Sequence, residues 1–457
     1  MRFTNDYTKK IKENINGKNM TYYIDTMGCQ MNENDSLKYA GIFENMGFKK
    51  AESEEDANIV LFNTCCVREN AENTLFGRLG FLKNRKSNRK DFYIVVVGCM
   101  TQQKHIIEKI INSYNWVDVV LGTNSMQKLP RKLYNAMFNK KDKIEYYDID
   151  NEIIEGVPVV YNDKYKASVS IIYGCNNFCS YCIVPYVRGR EHSRKIQDIV
   201  NDVEELAQKG YKEIMLLGQN VNSYGNDLKD GTNFPKLLRE IEKIDGIEII
   251  RFMSPHPKDF SDELIDTIAK SKKIARQIHL PLQSGSTRIL KEMNRKYTKE
   301  DYLKIVEKLK KADSNISFST DIIVGFPGET REDFEETLDV VRKVEYDQIY
   351  MFIYSKREGT VAANIKDDTK YEEKVDRLEE LKHIYESNLP KLNKKYIGTI
   401  QKVLVEGKSK NNDKLYTGRT SSNKTVIFEA DDSYIGKIQK IKIISEHLWY
   451  LKGKIDE

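Results

Sequence analysis

The sequence has no apolar stretch near its start. Residues 1–20, MRFTNDYTKKIKENINGKNM, are polar, so the hydrophobic core of a signal peptide is missing. No later apolar run reaches the roughly 18 residues that a membrane span requires. Charge of one sign is lacking too: 74 Lys and Arg stand against 69 Asp and Glu, a net +5. These absences lead to the expectation of a cytoplasmic protein with no membrane partner, in a compartment where thiols stay reduced. Seven cysteines in that setting point to metal or redox work before disulfides. With 40% hydrophobic and 31% charged residues, the 457-residue chain reads as an ordinary globular protein of two to four domains.

The positive excess is unevenly placed. From Lys391 onward there are 14 Lys and Arg against 8 Asp and Glu, whereas the preceding residues hold 60 against 61. A basic tail favours a polyanionic partner, although a small well-solvated domain accounts for the same charge.

Three β-rich runs come first, 21–26, 58–64 and 92–98, each followed by a helical pattern. In NENDSLKYAGIFENMGF, Leu37, Ala40, Phe43 and Met46 recur near one face, Asn and Asp can cap the start, and Gly47 can end it. Strand alternating with helix implies a parallel α/β sheet over 20–138. Residues 139–160 lose the pattern and read as a linker. Six further βα units follow within 161–393, with strands expected at 168–173, 213–218, 248–253, 276–282, 319–325 and 348–354. Six units predict a (β/α)6 partial barrel. A charged helix over 370–389 is expected to stop before Pro390, and 394–457 reads as a small β-barrel built from four short strands. The fold class is therefore α/β with a β-barrel tail.

Cys175, Cys179 and Cys182 form CxxxCxxC directly after the first barrel strand. That spacing lets three thiolates point from one short loop at one metal centre. A closed zinc site wants four ligands, and the nearest spare one, His192, lies ten residues on and beyond a Pro. A cubane iron–sulfur cluster on three cysteines instead leaves one iron open for a ligand. With Tyr181 before the last Cys, the motif resembles that of the radical S-adenosylmethionine (SAM) enzymes. The resemblance implies that the open iron chelates the amine and carboxylate of SAM, whose sulfonium is then cleaved reductively to a 5′-deoxyadenosyl radical.

Cys29, Cys65 and Cys99 each follow an N-terminal strand. Strand C-termini of a parallel sheet share one edge, so these three can converge although 36 and 34 residues separate them. Separately buried thiols are the alternative. Cys66 adds an ambiguity: adjacent side chains diverge, and position along the strand does not say whether Cys65 or Cys66 faces the others.

A three-Cys α/β domain, a radical SAM core and a basic barrel together resemble the methylthiotransferase family over nearly the whole chain. GCQMNENDS, NTCCVRENAE, YCIVPYVRGRE, LLGQNVNSYG, HLPLQSGS and DIIVGFPGET look like its tRNA-2-methylthio-N6-dimethylallyladenosine synthase branch. The ribosomal-protein branch would show Pro-Lys-Asn after the first cysteine and the threonylcarbamoyladenosine branch Lys-Val-Asn; here Gln30-Met31-Asn32 stands there. The family's N-T-C pattern selects Cys65 and leaves Cys66 a neighbouring thiol. The resemblance implies two [4Fe-4S] clusters, one on Cys29, Cys65 and Cys99 and one on Cys175, Cys179 and Cys182. It further implies two SAM molecules per turnover, an electron donor such as a flavodoxin or ferredoxin, the Fe–S assembly machinery, and tRNA. The adenine C2–H offers no acidic proton, which makes radical chemistry the fitting route.

Supporting positions are expectations of the same kind. Tyr181, Gly218, Gln219 and Asn220 are expected at SAM, with plain β-to-α turn residues as the alternative. Gly325, Pro327 and Gly328 are expected to shape a cofactor loop, with Glu329 either in it or a helix-start charge. His279, Gln283 and Ser284 sit near the expected barrel mouth. Arg188, Arg190 and Arg194 suit RNA phosphates, unless Glu191 or another acid pairs with them. The tail resembles a TRAM domain, an RNA-binding module, and an adenosine in a single-stranded anticodon loop is an accessible target.

Overall fold

The computed structural model describes residues 3, 6–67, 71–139, 153–410 and 412–456. It divides into two compact units: Met1–Asn162 with Ile172–Phe178 and Cys182–Arg194, and Asp163–Ile171 with Cys179–Tyr181 and Lys195–Glu457. Most of the expected linker, 140–152, lies outside the described residues.

The first unit is built on a parallel sheet in the order β2-β1-β3-β4-β5, with β1 Thr21–Thr26, β2 Lys49–Lys50, β3 Ile59–Thr64, β4 Tyr93–Gly98 and β5 Val119–Leu121. Every residue of β3 is buried because helices cover both faces of the sheet. Val60, Phe62, Ile94 and Val96 pack on one side, and Ile59, Leu61, Val95 and Val97 on the other, as strand alternation requires. Register levels the strand ends, pairing Thr26 with Asn63 and Thr64 with Gly98. Gly98 has φ +105°, and a Cβ there would lie 2.4 Å from the Thr64 carbonyl oxygen, so only glycine lets β4 end beside β3.

The helix after β1 spans Gln30–Asn45, and Gly47 follows it with φ +93°. Its Asn and Asp residues do not cap it. Cys29 occupies the N-cap without a side-chain bond to a backbone N–H, its Sγ donating instead to Asn32 Oδ1 at 3.6 Å, while Asn32, Asp35, Ser36 and Tyr39 form the buried i, i+3, i+4, i+7 face. Leu37 and Ala40, expected in the core, are half-buried. The difference arises because this face meets a polar site at the sheet edge.

The expected strand 168–173 is split in two. β6 ends at Ser170, and β7 (Ile172–Tyr173) leaves the sheet to pair antiparallel with β8 (His192–Ser193). In the second unit β6 (Lys166–Ser170), β9 (Glu213–Leu217) and β10 (Ile249–Phe252) form one parallel sheet, and β11 (Gln277–His279), β12 (Ser317–Val324) and β13 (Gln348–Ile353) another. An isolated parallel bridge between Ile250 of β10 and Ile274, three residues before β11, links the two sheets. Strand β11 is shorter than the expected 276–282, since Pro281 has no N–H for a ladder. The Tyr297 and Tyr302 hydroxyls take up the carbonyls of 280–282 instead.

The helix expected to stop before Pro390 runs Tyr371–Lys394. Leu389 and Leu392 are buried and Asn393 donates to the His447 and Leu448 carbonyls, so tertiary contacts hold the turn that Pro390 weakens. Beyond it, β14 (Ile400–Ser409), β15 (Asn412–Thr420), β16 (Thr425–Glu429), β17 (Ile438–Glu446) and β18 (Leu451–Ile455) close a barrel in the order β14-β15-β16-β18-β17. Within the barrel, β18 is the strand the sequence did not reveal, since Leu451 and Gly453 alternate inward in only five residues; β2, β5 and β8 were not expected either, being only two or three residues long.

Candidate active site

Parallel register delivers the N-terminal thiols to one edge. Cys65 follows β3, Cys99 follows β4 at the residue after Gly98, and Cys29 stands three residues past β1. Among the described residues no three His, Cys, Asp or Glu side chains are already gathered around one metal position. The thiols instead pair, Cys29 with Cys65 and Cys66 with Cys99. The Cys65 thiol lowers the Cys29 pKa to about 5, with Arg188 assisting. Cys99 is lowered to about 7 by the Cys66 thiol, again with help from Arg188. The Cys65 and Cys66 thiols are pushed up, by Cys29 and Cys99 respectively and by burial. Cys29 is exposed, whereas Cys66 and Cys99 pack within the apolar core on one face of the sheet.

Arg188 was expected at phosphate. It is buried instead, donating to Cys99 Sγ at 3.3 Å, Asn32 Oδ1 at 3.1 Å and Asp35 Oδ2 at 2.8 Å. Arg194 is also buried and donates from Nε to Glu155 Oε1 at 2.7 Å. Both guanidiniums are spent on carboxylates because burial would otherwise leave an unpaired charge. Arg190 is exposed and stacks 4.3 Å over Phe178, the placement of the three that suits an outside anion. Asn32 Nδ2 also donates to the Thr64 carbonyl at 2.8 Å, and Asn63 Nδ2 returns a bond to the Asn32 carbonyl, tying the helix start to the end of β3. A cavity of about 70 Å³ beside Arg188 is lined by Asp35, Lys38, Tyr173, Arg190 and His192 among others.

Backbone contacts set the CxxxCxxC loop. Gly174 has φ +74°, and a Cβ would come within 2.0 Å of the Arg190 carbonyl oxygen. Cys175 N donates to the Gly189 carbonyl, and Asn176 bonds the Glu191 carboxylate through both its backbone and its side chain. Cys175 and Cys179 are buried and Cys182 half-buried. Ser180 is clamped separately, its N–H to the Met293 carbonyl and its own carbonyl to the Ala362 N–H.

Buried Arg295 donates from Nη1 to Cys179 Sγ at 3.6 Å, from Nε to the Tyr297 hydroxyl at 2.9 Å and from Nη2 to the Pro281 carbonyl at 3.0 Å. Tyr181 packs with Phe326, Met293 and Ala362. Half-buried Gln219, after β9, has a side-chain carbonyl oxygen shielded from water and, among the described residues, without a hydrogen-bond donor. That oxygen suits a bound ligand's ammonium. Its neighbour Asn220 is buried and donates to Asp259 at 2.9 Å, which makes it a builder of the turn.

The 325–329 segment is tied to the helix that follows β13. Gly325 (φ +67°) leaves room for the Lys374 stem and donates its N–H to Glu329 Oε2 at 2.7 Å. Pro327 is buried, and the Gly328 carbonyl accepts from Arg288. Glu329 is no helix-start charge. Thr330 caps the Arg331–Val344 helix, while Glu329 is buried against Arg377 at 2.8 Å, with burial raising its pKa. Removing one partner leaves the other buried and uncompensated, so Arg377→Met is expected to cost about 3–5 kcal/mol. Denaturant unfolding of the full chain measures it. His279 faces Ser319 Oγ at 3.1 Å and Asp321 Oδ2 at 3.4 Å, while Ser284 packs on Thr337 and Gln283 takes φ +67°.

Three family models cover the chain piecewise. The uncharacterized protein family UPF0004 matches 21–122, the radical SAM superfamily 169–341 and the TRAM domain 394–455. A tRNA-2-methylthio-N(6)-dimethylallyladenosine synthase of Acetivibrio thermocellus is 49% identical over 450 residues, spanning 98% of this chain and 93% of that protein. The chain belongs to the tRNA-2-methylthio-N6-dimethylallyladenosine synthase family. The synthase of Clostridium tetani is 50% identical over 95% of this chain and 96% of its own length. Among solved structures, a radical SAM methyltransferase from Kitasatospora setae with cobalamin and a [4Fe-4S] cluster bound shares the fold at TM-score 0.55 and 15% identity, covering 76% of this chain and 77% of that one.

In this synthase the cysteine-only donor sets fit iron–sulfur clusters, and the unpartnered Gln219 oxygen fits the amino-acid end of SAM. Asn32, Asp35, Arg295 and Tyr297 escaped sequence reading as site residues. The first two carried a signal, their helical spacing on an inward face; Arg295 carried none, since its target lies 116 residues away.

Proposed function

We propose that this synthase converts N6-(dimethylallyl)adenosine beside the anticodon of tRNA to its 2-methylthio derivative. The carrying observation is the pair of cysteine sets at strand ends of a parallel sheet and in the loop after β7, within a chain nearly half identical to named synthases. When bound, the clusters and SAM supply one-electron cleavage of a sulfonium and a place for the sulfur that is transferred. The chain's own residues do the rest. Cys175, Cys179 and Cys182 hold the SAM-side cluster, and Cys29, Cys65 and Cys99 the auxiliary one. Cys65 is taken as the third auxiliary ligand on the family's N-T-C pattern; its sulfur accepts the Val67 N–H, and Cys66 packs beside Cys99 in the apolar core. Gln219 orients SAM, with Tyr181 packed beside the loop. Arg190 and the basic barrel approach phosphates, a contact that weakens steeply with salt. A flavodoxin- or ferredoxin-like donor and an Fe–S assembly system complete the cytoplasmic setting; no helix among the described residues is long and apolar enough to cross a membrane.

The test is nucleoside profiling of tRNA from a deletion strain. The 2-methylthio form is expected to vanish, N6-(dimethylallyl)adenosine to accumulate, and the plasmid-borne gene to restore the product. Undiminished product, with a ribosomal protein or a threonylcarbamoyl nucleoside losing its methylthio group, would overturn the assignment.

A further inference from the structure

Two buried arginines each touch one cluster cysteine, and their surroundings differ in charge. Arg188, on Cys99, is neutralised by the Asp35 carboxylate at 2.8 Å. Arg295, on Cys179, meets a phenol and a backbone carbonyl, and among the described residues no carboxylate pairs with it. It is 8% exposed, so water screens its charge little. Three anchors from different parts of the chain fix the guanidinium: Tyr297 two residues on, Pro281 fourteen back, and the Cys179 sulfur itself. Such rigidity exceeds what a solubilising or packing arginine needs.

A guanidinium N–H on a ligating thiolate withdraws electron density from the sulfur, and a nearby uncompensated cation favours the more negative, reduced state. Both effects have the same sign. From this we infer that Arg295 is a positioning residue for radical generation: it pins Cys179 and makes the SAM-side cluster easier to reduce. Arg188, with its charge cancelled, chiefly fixes Cys99. The inference rests on the reading of Cys175, Cys179 and Cys182 as cluster ligands.

The experiment is an EPR-monitored redox titration of the anaerobically reconstituted full chain. In Arg295→Gln one of the two cluster signals is expected to become about tenfold harder to reduce, about 59 mV lower for a one-electron couple. The other signal should stay in place. Arg295→Lys, which keeps charge but loses the fork, and Tyr297→Phe, which removes one anchor, should give smaller downward shifts; they carry the test if Arg295→Gln fails to load iron. Loaded variants whose potentials match the parent overturn the inference, including the case where SAM affinity falls while the potential stays, which would make Arg295 a SAM-binding group. Loss of iron in all three variants overturns it as well, in favour of a structural role. A parent chain that binds no iron would instead sink the underlying cluster reading.

Discussion

Replacing Cys175, Cys179 and Cys182 together by alanine will abolish reductive cleavage of SAM and halve the bound iron, from about eight atoms per chain to about four. In the proposed reading these thiolates are the covalent hold on the SAM-side cluster, so no partial activity should survive their loss. The fold should survive, because the loop does not depend on its thiols. Cys175 N bonds the Gly189 carbonyl, Asn176 clamps Glu191, and Ser180 is held by backbone bonds at both its N–H and its carbonyl. Iron analysis, EPR and an assay for 5′-deoxyadenosine check the result. Persistent 5′-deoxyadenosine formation, or loss of all iron, would contradict the two-set arrangement.

Cys65 and Cys66 will behave differently despite being neighbours. Cys65→Ala is expected to lose the auxiliary cluster and more than about 100-fold in methylthio transfer, beyond the 10–100-fold typical of groups behind a metal ligand. Abortive SAM cleavage should continue, since the other set is intact. Cys66→Ala should keep about eight irons and most of its activity, losing only core packing: Cys66 sits with Phe62, Val96 and Cys99 in the apolar layer, where a small side chain is tolerated. The reverse ranking in iron content would make Cys66 the ligand. The pairing of Cys66 with Cys99 gives that outcome a physical route.

Much of the site was legible in the chain. CxxxCxxC is a local motif, so its three cysteines come from one loop whatever the distant packing does. The strand-end positions of Cys29, Cys65 and Cys99 follow from parallel-sheet geometry, in which levelled strands share a C-terminal edge. The six βα units were readable from periodicity, because each strand packs on both faces and each helix on one. The arginines were not. Arg188 and Arg194 looked like phosphate readers because a local reading shows charge but not burial. Inside the fold, Arg188 meets an aspartate 153 residues away and Arg194 a glutamate 39 residues away. The helix through Pro390 and the short β18 were misjudged for a related reason: local propensity was outweighed by contacts from the closing barrel.

The sequence by itself therefore determined the chemistry: which residues can hold metal, in two sets of three, on an α/β frame with a basic tail. Ligand identity and strand-end position depend on residue type and short-range spacing, which a linear chain displays. Tertiary structure alone decided which charges are buried, that Arg295 on Cys179 meets no carboxylate among the described residues, and that Asp35 cancels the charge of Arg188 on Cys99. Those outcomes depend on desolvation and on partners far apart along the chain, and neither exists until the chain has folded.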